Sequence, residues 1–240
     1  PTRRSSDLRF VSAHPDVRVR IQVDSLEVLG RALRQRELDL VVGESTILED
    51  DESIDIFESL APIKAYLFVR AGHPLTTSTA SLASPVSLRH ALSYPLIQIS
   101  RLPPRALKPF LEALGAPTPS GLSRPMPALD CPTVPIAIDV VTGSDAMVLA
   151  SLGMVKRELT RGRVVPFFRA HWMQSSWAFI KLRHRVPDPA ATAFLAALRT
   201  AHAASLAEDA RLEKKWRTRL PPQAAAGGTA PQASDGSPGM

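Results

Sequence analysis

The chain has a single cysteine, Cys131, among its 240 residues. One thiol excludes an internal disulfide and a metal site built from several thiolates, so we expect a reducing compartment, the cytoplasm. Aromatic residues make up only 5% of the chain. No apolar run approaches the roughly 20 residues that a transmembrane helix needs, and no charged and then apolar leader opens the sequence. These absences predict a soluble protein that is not exported.

The arrangements of side chains that perform catalysis are also missing from the sequence. We find no phosphate-binding loop, no paired carboxylates and no nucleophile beside a base. Cys131 is followed by Pro132, and nothing in the sequence places a histidine next to its thiol. His14 and His73 each precede a proline, and neither has a second ligand at metal-binding spacing. We therefore predict a protein that is not an enzyme and that carries neither a metal nor a cofactor.

Positive charge is present in excess, with a formal net charge of +6. Such an excess raises the question of nucleic-acid binding, which depends on how the charge is distributed. Basic residues are spread along the chain, and the densest run, 211–219, is interleaved with Glu208, Asp209 and Glu213. That mixture is typical of a solvated helix face. The acidic run at 49–52 would repel a phosphate backbone, so the charge alone does not predict a DNA-binding protein.

Strands and helices alternate along the sequence. Residues 17–23 alternate apolar and polar side chains with period two, as a strand does. Leucines recur at helical spacing within 25–36, where Asp24 or Ser25 can cap the helix. The apolar run 38–42 is typical of a buried parallel strand, which would complete a βαβ unit. Further strands are predicted at 65–69, 96–99, 146–150, 164–167 and 177–182, and further helices at 88–92, 105–114, 134–141, 155–161 and from 188 as far as 216.

The order of these signals resembles the effector domain of LysR-type transcription regulators. Residues 14–43, HPDVRVRIQVDSLEVLGRALRQRELDLVVG, resemble that family's opening turn, strand, helix and leucine-aspartate-leucine strand. Residues 60–75, LAPIKAYLFVRAGHPL, resemble its crossover strand with the terminal His-Pro-Leu. YPLIQIS, LEALGAP, GSDAMVLASLGMVKRELTRGRVVPF and AFLAALR then follow in the family's order. The resemblance extends from Leu8 to Arg199.

The resemblance implies an α/β, two-lobed fold like that of type 2 periplasmic binding proteins, with a cleft between the lobes. We expect 8–69 and 166–218 to form lobe I and 70–165 to form lobe II. The family's first strand and its DNA-binding head have no counterpart here. Residues 1–7, where RRSSDL reads like a translated library adapter, are expected to be non-native or disordered. The Pro-, Ala-, Gly- and Ser-rich tail 219–240 is expected to be disordered.

A ligand site is expected where strands end and helices begin. Open α/β sheets bind ligands beyond the carboxyl ends of their strands, and helix N-termini attract anions. Ser25 is explained as well or better by helix capping, and Arg101 and Arg105 by an exposed surface. A Glu44 that faces the cleft would favour a polyol, an amine or a cation-bearing effector. The expected ligand-binding residues are Ser25, Gly43, Glu44, Ser45, Ser100, Arg101 and Thr133.

The resemblance therefore predicts the effector-sensing domain of a DNA-binding transcription regulator that binds a small metabolite. DNA would be contacted only through the winged helix-turn-helix absent from this chain. Two alternatives remain, a solute-binding protein of a transport system with the same fold and an enzyme built on that fold. A homodimer or tetramer is expected through the helices 25–36 and 107–114, although the apolar stripes of both helices are equally well explained by packing within their own lobe.

Overall fold

The computed structural model describes residues 10–44, 51–77, 86–99, 102–115, 125–131 and 133–216. The ranges 1–7 and 219–240, expected to be non-native or disordered, lie outside these residues. A short helical turn at 10–13 precedes the first labelled helix. The helices are α1 (Leu26–Arg34), α2 (Pro74–Thr77), α3 (Leu88–Ala91), α4 (Pro104–Leu114), α5 (Val134–Gly143), α6 (Leu152–Thr160) and α7 (Pro189–Trp216).

The strands form three separate sheets. Their orders are β1-β10-β2, β3-β9 and β6-β5-β7-β4-β8. The strands are β1 (Val41–Glu44), β2 (Ile54–Ser59), β3 (Ile63–Lys64), β4 (Tyr66–Arg70), β5 (Leu96–Gln98), β6 (Leu129–Asp130), β7 (Met147–Ala150), β8 (Val164–Phe168), β9 (Gln174–Ser175) and β10 (Trp177–Leu182).

The first lobe is built on the three-stranded sheet. Both β1 and β2 pair antiparallel with β10. Leu29 and Leu33 of α1 are buried in one core with Val41, Ile54 and Ile180 of these strands. The leucine spacing that predicts the helix is therefore also what packs it on the sheet.

The second lobe is built on the five-stranded sheet, with β4 in its interior. β5 pairs parallel with β6 and β7, whereas β4 pairs antiparallel with β7 and β8. Tyr66 and Phe68 belong to the core on one face of the sheet, and Leu67 and Val69 to the core on the other. Because successive strand residues point to opposite faces, a strand covered on both sides needs the unbroken apolar run seen here.

The two lobes are joined through the two-stranded sheet. Its ladder pairs Ile63 with Ser175 and Lys64 with Gln174. Flanking hydrogen bonds run from the Leu60 N–H to the Trp177 carbonyl at 2.7 Å and from the Ala65 N–H to the Met173 carbonyl at 2.8 Å. Since β4 and β8 both lie in the second lobe's sheet, we propose that the chain crosses between lobes at β3 and β9, a few residues away from the expected boundaries at 69/70 and 165/166.

Two predictions for the first lobe are wrong. Residues 17–23 form no strand, and Ile21 and Val23 are 57% and 79% exposed. A period-two pattern becomes a strand only beside a partner, and no described strand pairs with this segment. The run predicted as a parallel strand at 38–42 instead gives β1, which pairs antiparallel with β10. An unbroken apolar run indicates that a strand is buried, but not whether its neighbour runs parallel or antiparallel to it.

The last helix, α7, is continuous over 28 residues, a length of about 42 Å at 1.5 Å per residue. Asp188 caps it, because its Oδ1 accepts the backbone N–H of Ala191 at 2.7 Å. Leu195 in its first half and Leu212 near its end are both buried. The helix therefore has a buried apolar residue in each of its halves.

Candidate functional site

The carboxylate of Glu44 connects the two lobes. Glu44 ends β1 in the first lobe and is only 9% exposed. Its Oε1 accepts a hydrogen bond from Arg105 Nη2 at 2.6 Å, and Arg105 lies in the first turn of α4 in the second lobe. Its Oε2 accepts the backbone N–H of Ser176, between β9 and β10, at 2.8 Å. One side chain thus touches both lobes and the crossover between them.

This ion pair matters because the Glu44 carboxylate is buried. The Glu44 side chain is 10% exposed and that of Arg105 is 45% exposed. A carboxylate that loses most of its water must recover hydrogen bonds from the protein, and here Arg105 and Ser176 supply them. Removing Arg105 would take the charged partner away from a carboxylate that is largely shielded from water. The pair is therefore sensitive to any change in the separation of the lobes.

Two further predicted site residues lie beside Glu44. The Ser25 hydroxyl accepts the Val28 N–H at 3.4 Å, so Ser25 caps α1. Gly43 precedes Glu44, and a Cβ placed there would lie 2.3 Å from Leu26 Cδ2. The carboxyl end of β1 therefore meets the N-terminus of α1, and any larger residue at position 43 would require the Leu26 side chain to move. Packing and capping account for Gly43 and Ser25 without a ligand.

Thr133 lies on a different element, directly before α5. It is exposed, and its side chain makes no capping hydrogen bond. Its carbonyl oxygen accepts the Ala137 N–H at 3.0 Å, which starts the helix. The hydroxyl is thus not used by the helix that it begins. Of the remaining predicted site residues, Ser45, Ser100 and Arg101 lie outside the described residues.

Ser25, Gly43 and Glu44 therefore lie in one corner of the first lobe, whereas Thr133 lies at the start of α5 in the second lobe. The sequence does not predict the partners of Glu44. It predicts Arg105 as a surface residue and gives no signal for Ser176. They lie 61 and 132 residues from Glu44 in the chain, so no local pattern relates them to it.

Within the ranges that the structure describes, no cluster of three or more His, Cys, Asp or Glu residues is arranged to hold a metal ion. Among the helices described, none has both the length and the apolar character that crossing a bilayer requires.

Comparison with known proteins shows which family the chain belongs to. The sequence model of the LysR substrate binding domain matches residues 8–203. The SDS degradation transcriptional activation protein of Pseudomonas sp. (strain ATCC 19151) is 27% identical over 191 residues, which cover 77% of this chain and 58% of that protein. The chain thus spans little more than half the length of this curated relative.

Solved structures show the same fold. HinK, a LysR family transcriptional regulator from Pseudomonas aeruginosa, superposes with a TM-score of 0.57 at 19% identity, covering 83% of this chain and 65% of HinK. The effector binding domain of QuiR, solved in complex with shikimate, superposes with a TM-score of 0.59 at 15% identity, covering 85% of this chain and 91% of that domain.

The chain is therefore a two-lobed α/β domain of the type 2 periplasmic-binding-protein kind. It belongs to the LysR substrate binding domain family. This membership favours the transcription regulator over the transport protein of the same fold, and it gives the enzyme alternative no support.

Proposed function

We propose that this chain is the effector-sensing part of a LysR-type transcription regulator and that a small metabolite binds between its lobes. Family membership supports the class, and QuiR provides a domain of the same fold that was crystallised with a small molecule. DNA would be bound by a winged helix-turn-helix outside this chain. The intact protein would work in the cytoplasm as a dimer or tetramer, without catalysing a reaction.

The Glu44–Arg105 contact is the observation that carries the proposal. It joins the lobes directly, at 2.6 Å, where β1 ends and α4 begins. A molecule that enters between the lobes must either keep this ion pair or replace one of its partners. Replacement of a partner would couple occupancy of the cleft to the relative position of the lobes, which is what a sensing domain requires.

The chemistry of the pair limits the effector. Glu44 offers a carboxylate acceptor and Arg105 offers several N–H donors in a planar fork. A molecule with hydroxyl groups can satisfy both, and an amine or another cation can pair with Glu44. We therefore propose a polyol, an amine or a cation-bearing effector. Its contacts would come from Ser25, Gly43, Glu44, Ser45, Ser100, Arg101 and Thr133, together with Arg105.

A thermal-shift screen of the intact protein would test the proposal. The panel contains sugars and polyols, amines and amino acids, and aromatic acids as a contrasting class. A true effector at 100 times its Kd adds about 2.7 kcal/mol to the free energy of unfolding. Glu44→Gln should abolish or reverse the preference for polyols and amines, whereas Glu112→Gln, in the exposed Lys108–Glu112 pair, should leave it unchanged. A ligand bound equally well by Glu44→Gln would remove Glu44 from the site.

The Ser100→Ala variant tests whether Ser100 contacts the effector or has only a capping or surface role. Loss of one hydrogen bond to the effector should weaken binding by about 1 kcal/mol, or more where a buried polar group of the effector loses its partner. Calorimetric titration of the effector found in the screen measures the change. Unchanged affinity would exclude Ser100 from the pocket, while the two-lobed sensing mechanism would still stand on Glu44.

Gel-shift titration with the DNA that precedes the gene tests whether the intact protein is a DNA-binding regulator. We expect the intact protein to bind this DNA and the effector to change its affinity or footprint. Failure of the intact protein to bind any such fragment, with the effector bound normally, would favour the solute-binding alternative.

A further inference from the structure

The helix α7 is attached to the first lobe by its N-terminal half. The Phe194 ring meets the Phe10 ring edge to face, with centroids 5.0 Å apart. Arg199 Nε lies 2.9 Å from both carboxylate oxygens of Glu58 on β2. His202 Nε2 lies 2.9 Å from the carbonyl oxygen of Ala61, just before β3. These contacts fix the helix to one side of the crossover.

The C-terminal half of α7 is attached to the second lobe. Leu212 is 5% exposed and belongs to the core formed by β4, α5 and α6. Glu208 forms an ion pair with Lys156 on α6. Asp209 packs on the start of α6, where a Cβ on Gly153 would lie 2.9 Å from Asp209 Oδ1. The same helix therefore holds both lobes.

Glu213 is attached at the crossover itself. Its Oε2 accepts a hydrogen bond from Lys64 Nζ on β3 at 2.9 Å, and its Oε1 accepts one from the Tyr66 hydroxyl on β4 at 2.6 Å. Burial acts to raise the pKa of Glu213, but these bonds and the Lys64 charge outweigh it and hold the pKa below its usual value. A single carboxylate thus binds the residues on both sides of Ala65, where the two-stranded sheet becomes the second lobe's sheet.

The two kinds of connection differ in stiffness. β3 and β9 are strands of two residues each, whose ladder has two pairs. The helical segment from Arg199 to Glu213 is about 21 Å long at 1.5 Å per residue and keeps its own hydrogen bonds throughout. We propose that residues 208–216 of α7 act as a releasable brace, which holds the lobes at one angle while docked and leaves the second lobe when the lobes rotate about β3 and β9.

We expect the helix to leave the second lobe, because its contacts there include repulsion between carboxylates. Asp209 lies partly buried near Glu213 and Glu208, and burial together with those two charges raises its pKa, while the Gly153 N–H acts against the shift. Its Oδ1 is buried, with no hydrogen-bond partner among the residues described. The ion pairs nearby have exposed cations and contribute little each. At the first-lobe end, among the residues that the structure describes, the carboxylate of Glu58 pairs with Arg199, and the hydrogen bond and charge of Arg199 lower its pKa.

Two measurements on the intact protein test the brace. Hydrogen exchange reports whether the 204–216 amides open. Double electron–electron resonance between spin labels at Glu37 and Lys108, both exposed and in different lobes, reports the interlobe distance, with Cys131 replaced. Glu213→Gln should speed exchange in 204–216 roughly tenfold, leave 190–202 unchanged and broaden the distance distribution. Glu112→Gln, at an exposed position of α4, is the control and should change neither.

A chain ended after Ala203 removes the brace altogether and should give the broadest distribution. If that chain keeps the distance distribution of the unaltered protein, the brace proposal is wrong. The proposal is also wrong if Glu213→Gln frees 204–216 in hydrogen exchange while the interlobe distances stay the same. Neither readout uses an effector, so its failure is separate from failure of the proposed function.

Discussion

The buried imidazole of His73 joins two segments that lie 72 residues apart, because its Nε2 is 3.1 Å from the carbonyl oxygen of Asp145. On its other side, Nδ1 accepts the Leu75 N–H at 3.0 Å. Since Nδ1 is an acceptor, Nε2 carries the proton and donates a hydrogen bond to the backbone carbonyl of Asp145. Arg70 also donates to the Asp145 carboxylate, at 2.7 Å from Nη2. The HPL and GSDA segments that resemble the family thus contact each other, which gives this histidine a structural role.

His73→Ala should lower the free energy of unfolding by about 2–4 kcal/mol. The change removes two hydrogen bonds from a fully buried position and leaves a cavity. Urea unfolding of the intact protein measures the loss. His90→Ala, at an exposed site on α3, is the matched control and should change stability by no more than about 0.5 kcal/mol. Equal effects of the two substitutions would show that the His73 contacts do not hold the segments together.

Gly43→Ala should destabilise the first lobe by about 1–3 kcal/mol, because the new methyl group would overlap the Leu26 side chain. Leu26→Ala in the same chain makes room for the methyl group, so the double variant should lose less than the sum of the two single losses. Gly143→Ala is the control, since a Cβ there meets no atom within 4 Å. Additive losses in the double-mutant cycle, measured by urea unfolding, would contradict the close approach of α1 and β1.

Elements with strong local signals were predictable from the sequence. The run Tyr66 to Val69 is buried on both faces, and its unbroken apolar character indicates a central strand. The helix expected over 105–114 is confirmed and ends at Gly115, whose φ of +70° is the left-handed conformation that glycine adopts easily. Asp188 caps the last helix as expected. In each case the deciding residues are neighbours in the sequence.

Features that depend on distant partners were not predictable. The pattern at 17–23 is that of a strand, but pairing decides whether a strand forms. The strand β2 was missed although Ile54 and Ile56 alternate with acidic residues, since it follows the acidic run 49–52 directly. The Glu44–Arg105 contact joins residues 61 positions apart. Sequence reasoning proposed Glu44 for the cleft, and only the fold supplies the residue that it binds.

Asp209→Asn should raise the melting temperature near neutral pH by about 1–4 °C. The folded-state pKa of Asp209 is raised, chiefly by burial and also by Glu213 and Glu208. A raised carboxyl pKa means that the folded state disfavours the charge, so stability falls as the pH rises from the unfolded value of about 3.9 through the folded value. The amide of the Asp209→Asn variant carries no charge. The higher stability of the variant should therefore vanish at pH values below that range.

Melting curves of the variant and the unaltered protein, recorded from pH 3 to pH 8, measure this difference. Asp139→Asn, at an exposed position of α5, is the control and should give a small difference that does not depend on pH. A constant advantage of Asp209→Asn at every pH would show that the carboxylate charge is not its cause.

The last prediction concerns assembly through α1 and α4. Leu29 and Leu33 face the core of their own lobe, as Phe110 and Leu111 of α4 do, so these buried stripe residues are not available to a partner. Val28 remains on the outward flank of α1, where it is 38% exposed. In an isologous interface each contact occurs twice. A charge introduced at position 28 would therefore be buried twice in a dimer and would destabilise it.

We therefore expect the intact protein to be a dimer or tetramer and Val28→Glu to shift it toward a smaller species. Light scattering at micromolar concentration measures the mass of each variant. Met154→Glu introduces the same charge at a position of similar exposure, 41%, on α6 and should leave the mass unchanged. If the unaltered protein is monomeric, the assembly prediction is wrong. If both substitutions reduce the mass equally, the effect of the added charge is general and α1 does not form the interface.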